Sequence, residues 1–152
     1  MKIGVLAGGG DAPGLNAALK AVVIKSNEYG WKVIGIKRGW AGLLDYDVQE
    51  LSPETVKNIH SQGGIILYTS RTNPFITENG PQKIIKNMRK LGLNALVAMG
   101  GEDTLSVAQK LYEMGVSVVG IPKTIDNDLS GTDYTIGFDT AVSIATDAID
   151  RL

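Results

Sequence analysis

A doubly wound α/β domain, with a mainly parallel sheet and helices on both faces, is predicted from three observations. Short, continuous apolar runs recur along the 152 residues. Amphipathic stretches at helical spacing separate them. Glycine-rich or acidic segments follow the runs on one side only. Continuous apolar runs mark strands covered on both faces, and their alternation with helices marks βα units.

The elements follow in order. "IGVLAG" (3–8), "WKVIGI" (31–36), "GIILYTS" (64–70), "NALVAMGG" (94–101) and "VSVVGIP" (116–122) are the expected strands. A helix over 13–29 opens at Pro13, carries Leu15, Leu19, Val22 and Val23 on one face, and stops at Gly30. A short helix is expected at Ser52-Pro53, where serine suits the N-cap and proline the first helical position. Residues 81–91 place Ile84, Ile85, Met88 and Leu91 on one face ahead of Gly92. Residues 104–114 repeat the pattern before Gly115, and a last helix starts near Thr140. The whole forms a single three-layer, Rossmann-like domain.

Composition narrows the function classes. A formal charge of −1 and 43% apolar residues describe an ordinary globule, with no basic surface for nucleic acid. The absence of cysteine excludes disulfides, thiolate nucleophiles and cysteine-bound zinc. The opening "MKIGVLAGGG" is too short for the apolar core of a leader, and no run approaches the ~18 apolar residues of a membrane helix. The cytoplasm is the expected location, with no membrane partner.

In open α/β sheets, ligands bind along the edge formed by the carboxyl ends of the strands. The loops expected there are "GGGDAPG", "KRGWAG", "TSRTNP", "GGEDT" and "PKTIDND", which hold most of the unusual chemistry. "AGGGDAPGLNA" (7–17) leads from a strand into a helix, the setting for an anion on backbone N–H groups. It is neither a Walker loop, since Leu15-Asn16 stands where Lys-Ser/Thr is needed, nor a dinucleotide fingerprint, since Pro13 replaces the third glycine. "GGEDT" (100–104) sets two acids before a helix. They can serve as dipole partners or, beside a phosphate loop, as magnesium ligands. Asp126 and Asp128 flank Asn127, and an extended backbone there would turn both carboxylates to one side. Lys123, Arg71 or a bound metal would offset their repulsion. A carboxylate aimed at a substrate hydroxyl is the base that phosphoryl transfer to an alcohol requires. His60 reads as solvated surface, Arg71 as a phosphate clamp or a turn residue, and Trp40 equally as packing or as a lid.

"GVLAGGGDAPGLNA", "GGEDTL" and "PKTIDNDLSGTDYTIGFDTA" resemble, in order and spacing, the N-terminal half of 6-phosphofructokinases. The resemblance covers essentially the whole chain and is most specific in PKTIDND. It implies transfer of a phosphoryl group to the 1-hydroxyl of fructose 6-phosphate in glycolysis, with Mg2+. By the same resemblance Asp126 is the base, while Lys123, Thr124 and Asp128 belong to the catalytic and sugar side. Gly9, Gly10, Arg71, Gly101, Asp103 and Thr104 hold the donor's phosphates, and Glu102 with Asp103 holds the metal. ATP-using members typically carry glycine at the positions of Asp103 and Lys123, so this pair resembles the pyrophosphate-using branch. A carboxylate at 103 would repel the α-phosphate of a nucleotide, and an ammonium at 123 would stabilise charge on the smaller donor.

Three departures accompany the resemblance. Glu102 replaces the usual aspartate, Tyr68 replaces a small residue, and the chain stops at "AIDRL". The resemblance therefore assigns 1–152 to the donor-binding domain, with the C-terminal sugar-phosphate domain not included. A homo-oligomer is expected. The rival readings are a non-catalytic nucleotide- or polyphosphate-binding module, an ATP-dependent phosphofructokinase, and another sugar or NAD kinase.

Overall fold

The computed structural model describes all 152 residues. Its strands are β1 (Lys2–Ala7), β2 (Lys32–Ile36), β3 (Val48–Leu51), β4 (Ala95–Gly100), β5 (Val118–Thr124) and β6 (Ile136–Gly137). The helices are α1 (Leu15–Glu28), α2 (Trp40–Asp45), α3 (Gly80–Leu91), α4 (Glu102–Glu113) and α5 (Phe138–Ile149), with a 3-10 turn at Pro74–Ile76. The sheet order is β3-β2-β1-β4-β5-β6, and every pairing is parallel except β2 with β3.

Alternation along the strands makes the three layers. Leu6 of β1 faces a core with Ile84 and Met88 of α3 and Val107 and Leu111 of α4. Its neighbours Ile3, Val5 and Ala7 face the other side, against Leu15, Leu19 and Val23 of α1. Each such side chain, once fully buried, contributes roughly 1.5–3 kcal/mol. Helix α3 has proline in its first turn and ends at Gly92, whose φ of 66° suits the left-handed cap.

Several expectations need correction. "GIILYTS" is not a strand: it makes no ladder, and Gly64 and Tyr68 have φ of 75° and 56°. Its Ile65 and Leu67 are apolar because they cover the α1 side of the sheet from outside the ladder. The Ser52-Pro53 segment forms turns instead of a helix, although Ser52 and Thr55 do exchange cap-like bonds of 2.9 and 3.3 Å. Buried Val56 and Ile59 from that segment join the same core. Helix α2 and edge strand β3 were not expected. The last helix starts at Phe138 and has no buried residue.

The order places β1 between β2 and β4, so the chain leaves β1 in opposite directions to its two neighbours. The crevice at such a reversal, above the carboxyl ends, is where doubly wound sheets bind ligands.

Candidate phosphoryl-transfer site

A hollow of about 420 Å³ opens at this reversal. Gly9, Gly10, Asp11 and Ala12 line it from the loop after β1, and Gly101, Glu102, Asp103 and Thr104 from the start of α4. Lys123, Thr124, Ile125, Asp126 and Asp128 come from the end of β5, and Arg71 from the irregular segment before the 3-10 turn. Each of the eleven residues that the resemblance assigns to the catalytic, donor and metal sites lines this one hollow. Arg71 arrives there from a loop and not from a strand end.

Close packing under the hollow brings the first two loops together. The Gly8 N–H donates to the Met99 carbonyl at 2.9 Å, joining the loop after β1 to β4. Thr104, 4% exposed, fills the space between them. A Cβ on Gly100 would lie 2.3 Å from the Thr104 Cβ, and one on Gly8 would lie 2.5 Å from its Oγ1. No side chain fits at either position. The Gly9 N–H is taken by the Ser70 carbonyl at 2.9 Å, which tethers the Arg71 segment. Gly9 therefore offers a ligand bare backbone for close approach, not a donor. The helix start that faces the hollow is that of α4, since none of the first residues of α1 lines it. The loop after β1 lines the hollow through Gly9 to Ala12, while α1 itself begins outside it. The unpaired N–H groups and dipole of the twelve-residue α4 favour negative charge there.

The acidic segment is held by its own hydrogen bonds. Asn127 has φ of 50°, so the backbone between the two aspartates is left-handed, and the extended geometry that would turn both carboxylates to one side is not met. Asn127 is suited to that conformation, and its side chain closes the loop. Its Oδ1 accepts from the Thr135 N–H at 2.9 Å, and its Nδ2 donates to the Asp133 carbonyl at 3.2 Å. Thr135, itself buried, donates its hydroxyl to the Thr124 carbonyl at 2.7 Å. Thr124 Oγ1 donates to Asp126 Oδ2 at 3.2 Å and lies 3.1 Å from the Asp126 backbone N–H, which donates back to it.

Lys123 is 3% exposed, and its Nζ donates to the Gly10 carbonyl. Burial pushes its pKa below the ordinary 10.5, and the Asp11 carboxylate opposes that fall. The sequence reading missed Asp11. Its only signal was an acid directly behind three glycines.

Five carboxylates and two cations line the hollow. A polyphosphate entering it would meet excess negative charge unless a cation came with it. No three acids are grouped as a ready metal cage. The all-oxygen set of Glu102 and Asp103 suits magnesium, which is commonly held by one or two carboxylates together with substrate phosphates and water.

Beside the main hollow lies a smaller one of about 100 Å³, shared by Gly9, Arg71, Asp103 and Thr104 and backed by Trp40. Trp40 is 1% exposed and packs in the core with α3, so it is not a lid; its indole N–H has no protein acceptor. His60 is exposed, with its Nδ1 3.1 Å from Lys20 Nζ, away from the hollow.

Sheet order, crevice and lining together define an α/β protein whose charged strand-end loops suit phosphate chemistry. The phosphofructokinase family profile matches residues 2–152. A pyrophosphate--fructose 6-phosphate 1-phosphotransferase of Dictyoglomus thermophilum is 57% identical over 152 residues, covering 100% of this chain and 44% of the relative. An ATP-dependent 6-phosphofructokinase 1 of Thermus thermophilus is 51% identical, over 99% of this chain and 47% of the relative. Among solved structures, the T-state phosphofructokinase of Pichia pastoris superposes with a TM-score of 0.92 at 34% identity, over 99% of this chain and 18% of that one. The chain belongs to the phosphofructokinase family. It spans slightly under half the length of these curated relatives.

Proposed function

We propose that this chain is the donor-binding half of a pyrophosphate-dependent 6-phosphofructokinase. The observation that carries the donor assignment is that Asp103 and Lys123 line the same hollow. The 57% identity to a pyrophosphate-named relative supports it, against 51% to an ATP-named one. A carboxylate at the start of α4 disfavours the extra phosphate of a nucleotide, while a buried ammonium compensates a compact donor.

In this reading, Arg71, Lys123 and the start of α4 hold the pyrophosphate. Asp126 takes the proton of the sugar's 1-hydroxyl as its oxygen forms a bond to the terminal phosphorus. The bond from that phosphorus to the bridging oxygen breaks, and orthophosphate leaves with the electron pair. Thr124 orients Asp126, and Asp128 lines the sugar side. Glu102 and Asp103 would hold Mg2+, which supplies charge neutralisation on the donor's oxygens when bound. The grip on the sugar phosphate belongs to a further domain outside these residues. A cytoplasmic setting and a homo-oligomeric assembly complete the reading.

The test compares magnesium pyrophosphate with magnesium ATP, as ligands by calorimetry and as donors to fructose 6-phosphate by phosphorus NMR. Tighter binding of pyrophosphate by tenfold or more is expected. Equal or better binding of ATP would overturn the donor assignment. Pyrophosphate binding without transfer, in a protein that includes the second domain, would favour a non-catalytic binding module.

A further inference from the structure

We propose that Asp11 is a positioning residue that keeps the Lys123 ammonium charged and parked on the Gly10 carbonyl, ready for the donor's phosphates. The inference deepens the pyrophosphate reading and rests on it for the identity of the donor. Lys123 is almost fully buried, so its charge needs a local partner, and burial alone would drive it toward the neutral amine. None of its salt-bridge-range contacts is to a carboxylate; its hydrogen bond goes to Gly10. Asp11 follows Gly10 directly and lines the same hollow as Lys123.

The Asp11 carboxylate is itself oriented. Its Oδ1 accepts from the Ala12 N–H at 3.0 Å, and its Oδ2 lies toward Gly64, where an added Cβ would come within 3.5 Å. The other charged groups lining the hollow divide by element: Glu102 and Asp103 on α4, Asp126 and Asp128 beyond β5, and Arg71 on the irregular segment. Asp11 differs from these in being joined directly to Gly10, whose carbonyl accepts from Lys123, and its charge opposes the fall in pKa that burial causes. An arriving phosphate then replaces the Gly10 carbonyl as acceptor, and the ammonium need not be protonated during binding.

The experiment follows the Lys123 side chain by NMR in the full 152-residue chain labelled at the lysine ε position, in wild type, Asp11→Asn and Asp11→Glu. Asparagine keeps an Oδ1 for the Ala12 N–H, so the loop's own bond survives. In Asp11→Asn the Lys123 midpoint should fall by about half a unit or more, and Asp11→Glu should restore it. Magnesium pyrophosphate affinity should fall off at a lower pH in Asp11→Asn, by the same shift, with little loss at neutral pH. An unmoved Lys123 midpoint would overturn the proposal, as would an affinity loss of equal size at every pH, which marks a purely structural role. Absence of pyrophosphate binding by wild type would instead remove the donor reading, and the Lys123 resonance would still decide the role of Asp11.

Discussion

Thr124 Oγ1 and Asp126 Oδ2 face each other at 3.2 Å while the Asp126 backbone N–H returns a bond of 3.1 Å to the same hydroxyl. The carboxylate is thus fixed relative to the end of β5 before any substrate arrives. Replacing Asp126 by asparagine keeps the shape and removes the proposed base. Transfer should fall by roughly 10²–10⁴-fold, with pyrophosphate affinity nearly unchanged, as read by turnover and calorimetry on one preparation. Undiminished transfer would take Asp126 out of the mechanism.

Asn127 bears on the same geometry through the backbone. Asn127→Ala removes its bonds to Thr135 and Asp133 and leaves a less suitable residue at φ of 50°. We expect a loss of about 1–3 kcal/mol in stability and faster amide exchange at Thr135. Asn127→Gly should relieve the backbone but still lose the bonds, so it should fall between wild type and alanine.

Gly100→Ala tests the packing under the hollow. Its new Cβ would sit 2.3 Å from the Thr104 Cβ, both on backbone held by β4 and α4. Overpacking of this kind costs about 1–3 kcal/mol. Denaturant melts of Gly100→Ala and of Gly100→Ala with Thr104→Gly, which removes the opposing Cβ, should show partial recovery in the pair.

The sign of the Lys123 effect on stability follows from its depressed pKa. Between the folded pKa and the ordinary 10.5, the unfolded chain binds more protons than the folded one, so this group's contribution to stability rises with pH across that window. Below the folded pKa, the burial cost of the charge is constant. Lys123→Met should therefore be more stable relative to wild type at neutral pH than at pH near 10.5, measured by urea midpoints across that range.

Donor choice is checked at Asp103. Asp103→Gly removes a carboxylate from both hollows. Loss of a proposed magnesium ligand should weaken both donors, but magnesium ATP should gain about tenfold, or ~1.4 kcal/mol, relative to magnesium pyrophosphate. No relative gain for ATP would mean that the carboxylate does not discriminate.

Much of this was legible in the chain itself. The runs that became β1, β2 and β4 are apolar because both faces of the sheet are covered there, whereas β5 leaves Val119 exposed; the polar loops behind all four converge because parallel strands point their carboxyl ends the same way. "GIILYTS" misled for a related reason: Ile65 and Leu67 are buried by packing on the sheet, and burial alone does not distinguish a ladder from a draped segment. Helix α2 is only six residues long, and β3 is a four-residue edge strand with a mixed pattern, so neither carries a strong period. At the site, residue types indicated which positions matter but not how the backbone presents them. The turn at Asn127 and the Gly9 bond to Ser70 depend on partners distant in sequence.

The Arg71 segment is held by the buried Ile65 and Leu67 and by bonds to α1 and to loops behind the strands: Gly9 to Ser70, Arg38 to Leu67 and Ser70, and Asn16 to Gln62 and Ile66. The acids, by contrast, are anchored at a strand end and a helix start. Mechanically, the arginine tip and the acidic anvil are separate parts joined through the buried Ile65 and Leu67, so a change confined to the residues beyond Leu67 re-aims the tip without re-cutting the anvil.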